Sequence, residues 1–247
     1  MARIALQLYT VREDCERDFE GTLRVVAELG YDGVELHSLF VHSAEQVRAW
    51  LDQYGLELCG RHVSLDAIEN ELPRLVAEAE ILGTKRTVLA WIEPPTTANE
   101  ADATAERLGR IADATRVAGL DFGFHNHDGE LRALGDGRSL LDRLTEQALF
   151  LELDLGWVWW AGVDPAELLV RLAGRSPLVH VKDFPTRDEP PVSCPVGDGI
   201  VGYGHVVPAA VAAGVEWLIV EQDETQGPAL DSAARSIAGL RPMSDAA

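Results

Sequence analysis

Lysine is nearly missing from this chain. Of its 21 basic residues only Lys85 and Lys182 are lysines, and 41 acidic residues bring the formal net charge to -20. That charge repels phosphate backbones and anionic membrane surfaces, which argues against nucleic acid as a partner. Cysteine is sparse as well. Cys15, Cys59 and Cys194 are odd in number, widely spaced and form no CxxC, so neither a disulfide framework nor a zinc knuckle is expected. No apolar run approaches the roughly 18 residues of a membrane span. No basic region followed by a long hydrophobic segment opens the chain, and the expectation is a cytoplasmic protein with no membrane partner. Nucleotide-binding loops are also absent: neither GxGxxG after the first strand nor GxxxxGK[ST] occurs. Gly197, Gly199, Gly202 and Gly204 lack the lysine and the strand–helix setting, and read as a flexible lid or substrate loop.

What is present is a regular alternation. The 247 residues, 47% hydrophobic, suffice for one large core, and no linker divides them, so residues 1–247 are expected to form one domain. Apolar runs at 3–9, 33–37, 57–62, 86–90, 120–128, 149–155, 178–183 and 215–221 read as strands. Helical spacing separates them at 18–29, 43–54, 67–82, 99–118, 139–145, from 164 onward, at 206–213 and at 228–240. Ser43 and the Asp164-Pro165 pair supply helix starts. Gly156-Trp157-Val158-Trp159-Trp160 reads as an aromatic loop. Continuous apolar strands alternating with helices imply a parallel sheet covered by helices, and eight such units fit a (β/α)8 TIM barrel.

In such a barrel the C-terminal strand ends meet at one mouth. Five of the seven histidines fall there: His37, His62, His125, His127 and His180. Side chains alternate along a strand, so His125 and His127 can share a face with Asn126 between them. Asp154, His180 and Glu221 end three successive strands and offer carboxylate, imidazole and carboxylate. These are ligands for one divalent ion, Mn2+, Mg2+, Co2+, Fe2+ or Zn2+, with His125 or His127 completing the shell. The competing reading is a hydrogen-bonded rim around a packed histidine. Lys182 shares a face with His180 and either neutralises a developing oxyanion or is a solvated rim residue. Glu35 either binds a substrate hydroxyl or pairs across the barrel, and Glu152 reads as structural. Trp157, Trp159 and Trp160 form a hydrophobic plug, a sugar-stacking wall or a subunit contact; Trp91 is better placed for stacking.

Several stretches resemble one known family. They are Ile4-Ala5-Leu6-Gln7-Leu8-Tyr9, Gly30-Tyr31-Asp32-Gly33-Val34-Glu35-Leu36, Phe124-His125-Asn126-His127-Asp128, Leu153-Asp154-Leu155-Gly156-Trp157, Ala161-Gly162-Val163-Asp164-Pro165, Val179-His180-Val181-Lys182-Asp183 and Val196-Gly197-Asp198-Gly199. The chain resembles the sugar phosphate isomerase/epimerase family of xylose-isomerase-like TIM barrels along nearly its whole length. The resemblance implies one divalent ion held by Glu, Asp, His and Glu from strands five to eight. Asp154, His180 and Glu221 match; the strand-five glutamate falls near Gly123 and is replaced by His125, Asn126 and His127. That departure speaks against two-glutamate epimerisation and leaves metal-assisted enolisation with a histidine as base or acid.

The resulting expectation is a metal-dependent isomerase or epimerase of a sugar or keto polyol, acting through an enediolate. His127 or His125 would move the proton, with Lys182 and Glu221 in the catalytic set and Glu35, His62, Trp91, Asn126 and Trp157 binding substrate. The metal ligands would be Asp154, His180, Glu221 and His127. The same enediolate can expel a β-hydroxyl, so a keto-sugar or inosose dehydratase or lyase is the alternative; a non-catalytic sugar-binding barrel is a further one. An endonuclease of related fold would need a basic groove that the net charge opposes. The family's frequent self-association makes a homodimer the expected assembly.

Overall fold

The computed structural model describes residues 2–188 and 190–247. Its eight strands are β1 (Arg3–Gln7), β2 (Gly33–Leu36), β3 (Glu57–Val63), β4 (Arg86–Leu89), β5 (Asp121–His125), β6 (Phe150–Asp154), β7 (Leu178–Val181) and β8 (Trp217–Val220). They pair in parallel in chain order, and β1 closes on β8 with Arg3 opposite Trp217 and Leu6 opposite Val220. Helices between successive strands pack outside, which makes a (β/α)8 barrel. Each strand is buried on both faces, the reason its sequence is continuously apolar.

The expected helix starts are built as chemistry requires. The Ser43 hydroxyl accepts from the Gln46 N–H, and Asp164 accepts from the N–H groups of Ala166 and Glu167, ahead of Pro165 in the first turn. The expected helix over 67–82 is two helices, Leu65–Asn70 and Leu72–Leu82, with Pro73 in the first turn of the second. No helix among the described residues is long and apolar enough to cross a membrane.

Three expectations near the mouth are corrected. β5 ends at His125, so His125 and His127 do not continue one pleat. The expected aromatic loop is a helix, Leu155–Trp160, because Asp154 caps it: its Oδ1 accepts from the Trp157 N–H at 2.9 Å. The glycine-bearing stretch after β7 is pinned rather than free. The buried Asp183 carboxylate accepts from the N–H groups of Phe184, Gly197, Gly199 and Val201. At Gly199 a Cβ would stand 2.1 Å from Asp183 Oδ1, so only glycine lets the loop wrap this closely.

Inside the barrel the strands stack in layers. The floor is apolar: Ala5, Cys59, Val88, Leu178, Trp217 and Ile219, with Phe150 packed against them. Above it the inward side chains turn polar, and that change of character marks the site.

Candidate active site at the barrel mouth

The polar layer begins with Glu35 on β2, Glu152 on β6 and His180 on β7, all completely buried. Gln7 Nε2 donates to Glu35 Oε2 at 2.8 Å. His180 lies between carboxylates, its Nε2 2.8 Å from Glu35 Oε2 and its Nδ1 2.9 Å from Glu221 Oε2. His62 Nε2 reaches Glu152 Oε2 at 2.7 Å, and its ring stacks on that of His180. Burial by itself lowers the pKa of His180, yet Glu221, Glu152 and Glu35 raise it well above the ordinary histidine value. Both of its ring nitrogens thus face carboxylates. Burial and then the charge of Glu152 push Glu35 up to about 7, while burial also raises Glu152. Glu35 and Glu152 are therefore not both readily ionised at neutral pH.

One level higher stands Lys182, with no exposed surface. Its Nζ lies 3.1 Å from Asp154 Oδ2, 3.1 Å from Glu221 Oε2 and 2.7 Å from Asp223 Oδ2. Burial would lower its pKa, but Asp154, Glu221 and Asp223 raise it well above the usual lysine value. Burial would likewise raise Glu221, but Lys182 and then His180 hold it well below the carboxylate range. Tyr203 fixes the lysine backbone, its hydroxyl accepting from the Lys182 N–H at 2.9 Å and donating to the Lys182 carbonyl at 2.8 Å. The ammonium sits 5.1 Å from the centre of the Trp157 ring, within cation–π range.

The His-Asn-His run divides into three roles. His125 is buried, and its Nδ1 approaches Glu152 Oε2 at 3.2 Å without a hydrogen bond. Asn126 is a brace: its Oδ1 accepts from the Asp154 N–H at 3.1 Å and its Nδ2 donates to the His127 carbonyl. His127 lines the mouth, its Nδ1 is buried and unpartnered, and its backbone N–H donates to Glu130 Oε2 at 2.8 Å. Burial and then Lys182 lower the pKa of His127 to about 4, so it is neutral at physiological pH.

A cavity of about 480 Å³ opens above these groups, walled by Tyr9, His37, His62, Trp91, His125, His127, Glu221 and Asp223. Trp91 is 56% exposed at its edge. A second cavity of about 490 Å³ adjoins it at His37 and His62 and runs past Phe40, His42 and Arg74. Trp157, Trp159 and Trp160 gather around Phe184, with ring centres 5.6, 6.2 and 5.1 Å from it, which matches the plug reading.

The donors of His125, Asp154, His180 and Glu221 lie within 4.8 Å of one another, as do those of His62, His125, Glu152 and His180. Two carboxylates and two imidazoles suit a borderline divalent ion. Asp154 Oδ2 has no hydrogen bond, only the ion-pair contact with Lys182, which also favours a cation there. The residues thus fit a metal, with Lys182 Nζ standing between two of the donors. His125, and not the expected His127, stands with this group. Glu35 and Asn126, expected to bind substrate, are buried in internal hydrogen bonds and line neither cavity. Trp157 likewise lines neither cavity; its ring packs against His127 and Phe184. The missing β5 glutamate also has a physical reason: a Cβ at Gly123 would strike the Phe150 ring at 2.3 Å.

Glu130 was not among the expected site residues, and Asp223 was placed with Glu221 at the end of β8 without a role. Asp223 was legible only as one more acid beyond β8. Glu130 follows the Asp128-Gly129 turn, and nothing in the local pattern shows it folding back on His127.

The model of the xylose isomerase-like TIM barrel family matches residues 23–243. The chain belongs to that family. The chain is 30% identical over 186 residues to an inosose dehydratase from Geobacillus kaustophilus, a match covering 65% of this chain and 60% of that protein. It is 26% identical over 268 residues to the rhizopine catabolism protein MocC of Rhizobium meliloti, covering 92% of this chain and 82% of that one. A sugar phosphate isomerase/epimerase from Parabacteroides distasonis superposes with a TM-score of 0.84 at 18% identity, over 97% of this chain and 98% of the other. The structural match at 18% identity shows a shared fold, and the inosose dehydratase match spans about two thirds of this chain.

Proposed function

We propose that this barrel enolises a keto sugar or keto polyol with one base, and that it is an isomerase of such a substrate. The observation that carries the reading is His127, a neutral imidazole in the wall of the cavity that Glu221 and Asp223 also line, with a buried Nδ1 that has no hydrogen-bond partner. Proton abstraction next to a carbonyl needs an unprotonated base and a cation for the developing oxyanion. His127 supplies the first. Lys182, against Glu221 and Asp223, supplies the second. Glu221 is committed to His180 and Lys182, so it is a poor second base, and one-base transfer between adjacent carbons fits better than two-base epimerisation.

Asp154, His180 and Glu221, with His125, would hold a divalent ion, whose chemistry when bound is Lewis-acid polarisation of the substrate oxygens. Trp91 stacks on the sugar face, and His62 meets the substrate from β3. Glu130 positions His127 through its backbone N–H. A second reading, loss of a β-hydroxyl from the same enediol, is favoured by the likeness to the inosose dehydratase.

The test is incubation of the metal-supplied protein with keto hexoses, keto pentoses and inososes in D2O. Deuterium incorporation next to the carbonyl that is lost in His127→Asn supports the proposal. An isomerised product identifies the isomerase and a dehydrated one the second reading. No exchange with any of these substrates by folded, metal-loaded protein contradicts both.

A further inference from the structure

The chain has two lysines, and one of them is buried where its ammonium bridges two of the carboxylates proposed above for a metal. The opposing charge is ample: Asp154, Glu221 and Asp223 all face Nζ within 3.1 Å. A divalent ion and the ammonium cannot both sit between Asp154 and Glu221, because two cations at contact distance repel and compete for the same oxygens. Asp223 differs from the other two acids. It is 42% exposed, whereas Asp154 and Glu221 are buried.

With the metal placed on Asp154, His180 and Glu221 as proposed above, we infer that Lys182 is the resident cation of the site and that a divalent ion enters by displacing its ammonium toward Asp223. Displacement needs only rotation about the flexible lysine stem, since Nζ already contacts Asp223 and the backbone stays fixed by Tyr203. Two consequences follow. Affinity for the ion is lowered by the cost of releasing the lysine from Asp154 and Glu221. Loading also delivers the ammonium to the cavity wall, where it meets a substrate oxygen, so that metal binding and the placing of the oxyanion donor are one event.

Titration calorimetry with Mn2+ on the full chain tests this, comparing wild type with Lys182→Met. The variant is expected to bind at least about tenfold more tightly, because no cation has to leave. Equal or weaker binding by a variant that circular dichroism shows to be folded overturns the displacement and leaves the metal reading standing. Should that variant fail to fold, wild type labelled with 15N-lysine decides the matter, because its two ammonium groups are Lys182 and the exposed Lys85. The buried ammonium exchanges its protons slowly and gives a signal. Zn2+ is expected to abolish that signal as one equivalent binds, an equivalent that Asp154→Asn does not take up. A Lys182 signal unchanged at zinc saturation overturns the inference. Absence of binding of either ion to either protein overturns the inference and the metal reading together.

Discussion

His180 Nε2 lies 2.8 Å from Glu35 Oε2, a bond between β7 and β2 made wholly inside the barrel. The carboxyl that accepts it is held up to about 7, against an ordinary 4.5, chiefly by burial. The folded protein therefore holds a proton on Glu35 more tightly than the unfolded chain does. This group's contribution to stability is fully present below about pH 4.5 and is lost as pH rises through about 7. A rise of this size corresponds to about 3 kcal/mol. Urea unfolding of wild type and Glu35→Gln at pH 5 and pH 8 is expected to show wild type losing stability relative to the variant by that order. Parallel behaviour at the two pH values would contradict the assignment.

In the proposed reaction His127 acts in its neutral form, and its pKa is lowered from 6.5 to about 4. The acid limb of kcat is expected near pH 4 to 5, with the rate level from there to neutrality. His127→Asn is expected to lower kcat by about 10²- to 10⁴-fold, the usual weight of general-base catalysis. An acid limb near 6.5, or a variant within a few-fold of wild type, would assign the proton transfer to another group.

Trp91 is exposed in the wall of the proposed substrate cavity, where stacking would contribute to ground-state binding. Trp91→Ala is expected to raise KM by about two- to tenfold, matching stacking worth about 0.5–1.5 kcal/mol, with kcat unchanged. A fall in kcat at constant KM would place Trp91 in the reacting geometry instead.

Asp183 organises the loop after β7 through four backbone N–H groups. Asp183→Ala strands those donors and is expected to cost about 3 kcal/mol or more, hydrogen bonds to a charged group being worth about 1.5–3 kcal/mol each. Chemical denaturation measures it directly; a change below about 0.5 kcal/mol would show the loop to be held by other contacts.

The barrel was legible because each strand is a short apolar run and each helix a 3.6-residue stripe, and both periods survive in one sequence. Asp154, His180 and Glu221 were legible as strand-terminal polar residues, and Lys182 through its rarity. The partition of His125 and His127 was not. It depends on β5 ending at His125, and one or two residues of strand length reverse which way a side chain points. The Leu155–Trp160 helix was hidden because its cap, Asp154, reads first as a ligand. Glu35 and Asn126 read as substrate contacts because strand position gives direction and not depth. Only the packed interior shows that Gln7, His180 and Asp154 absorb their polar atoms.

His125, Asp154, His180 and Glu221 are proposed to hold one divalent ion while His127 stays free to move a proton. Metal content of purified protein supplied with manganese or zinc, measured in wild type, Asp154→Asn, Glu221→Gln and His127→Asn, tests it most directly. About one ion per chain in wild type and His127→Asn, with loss in Asp154→Asn and Glu221→Gln, is the predicted result. An ion retained in both carboxylate variants, or lost in His127→Asn, would contradict it.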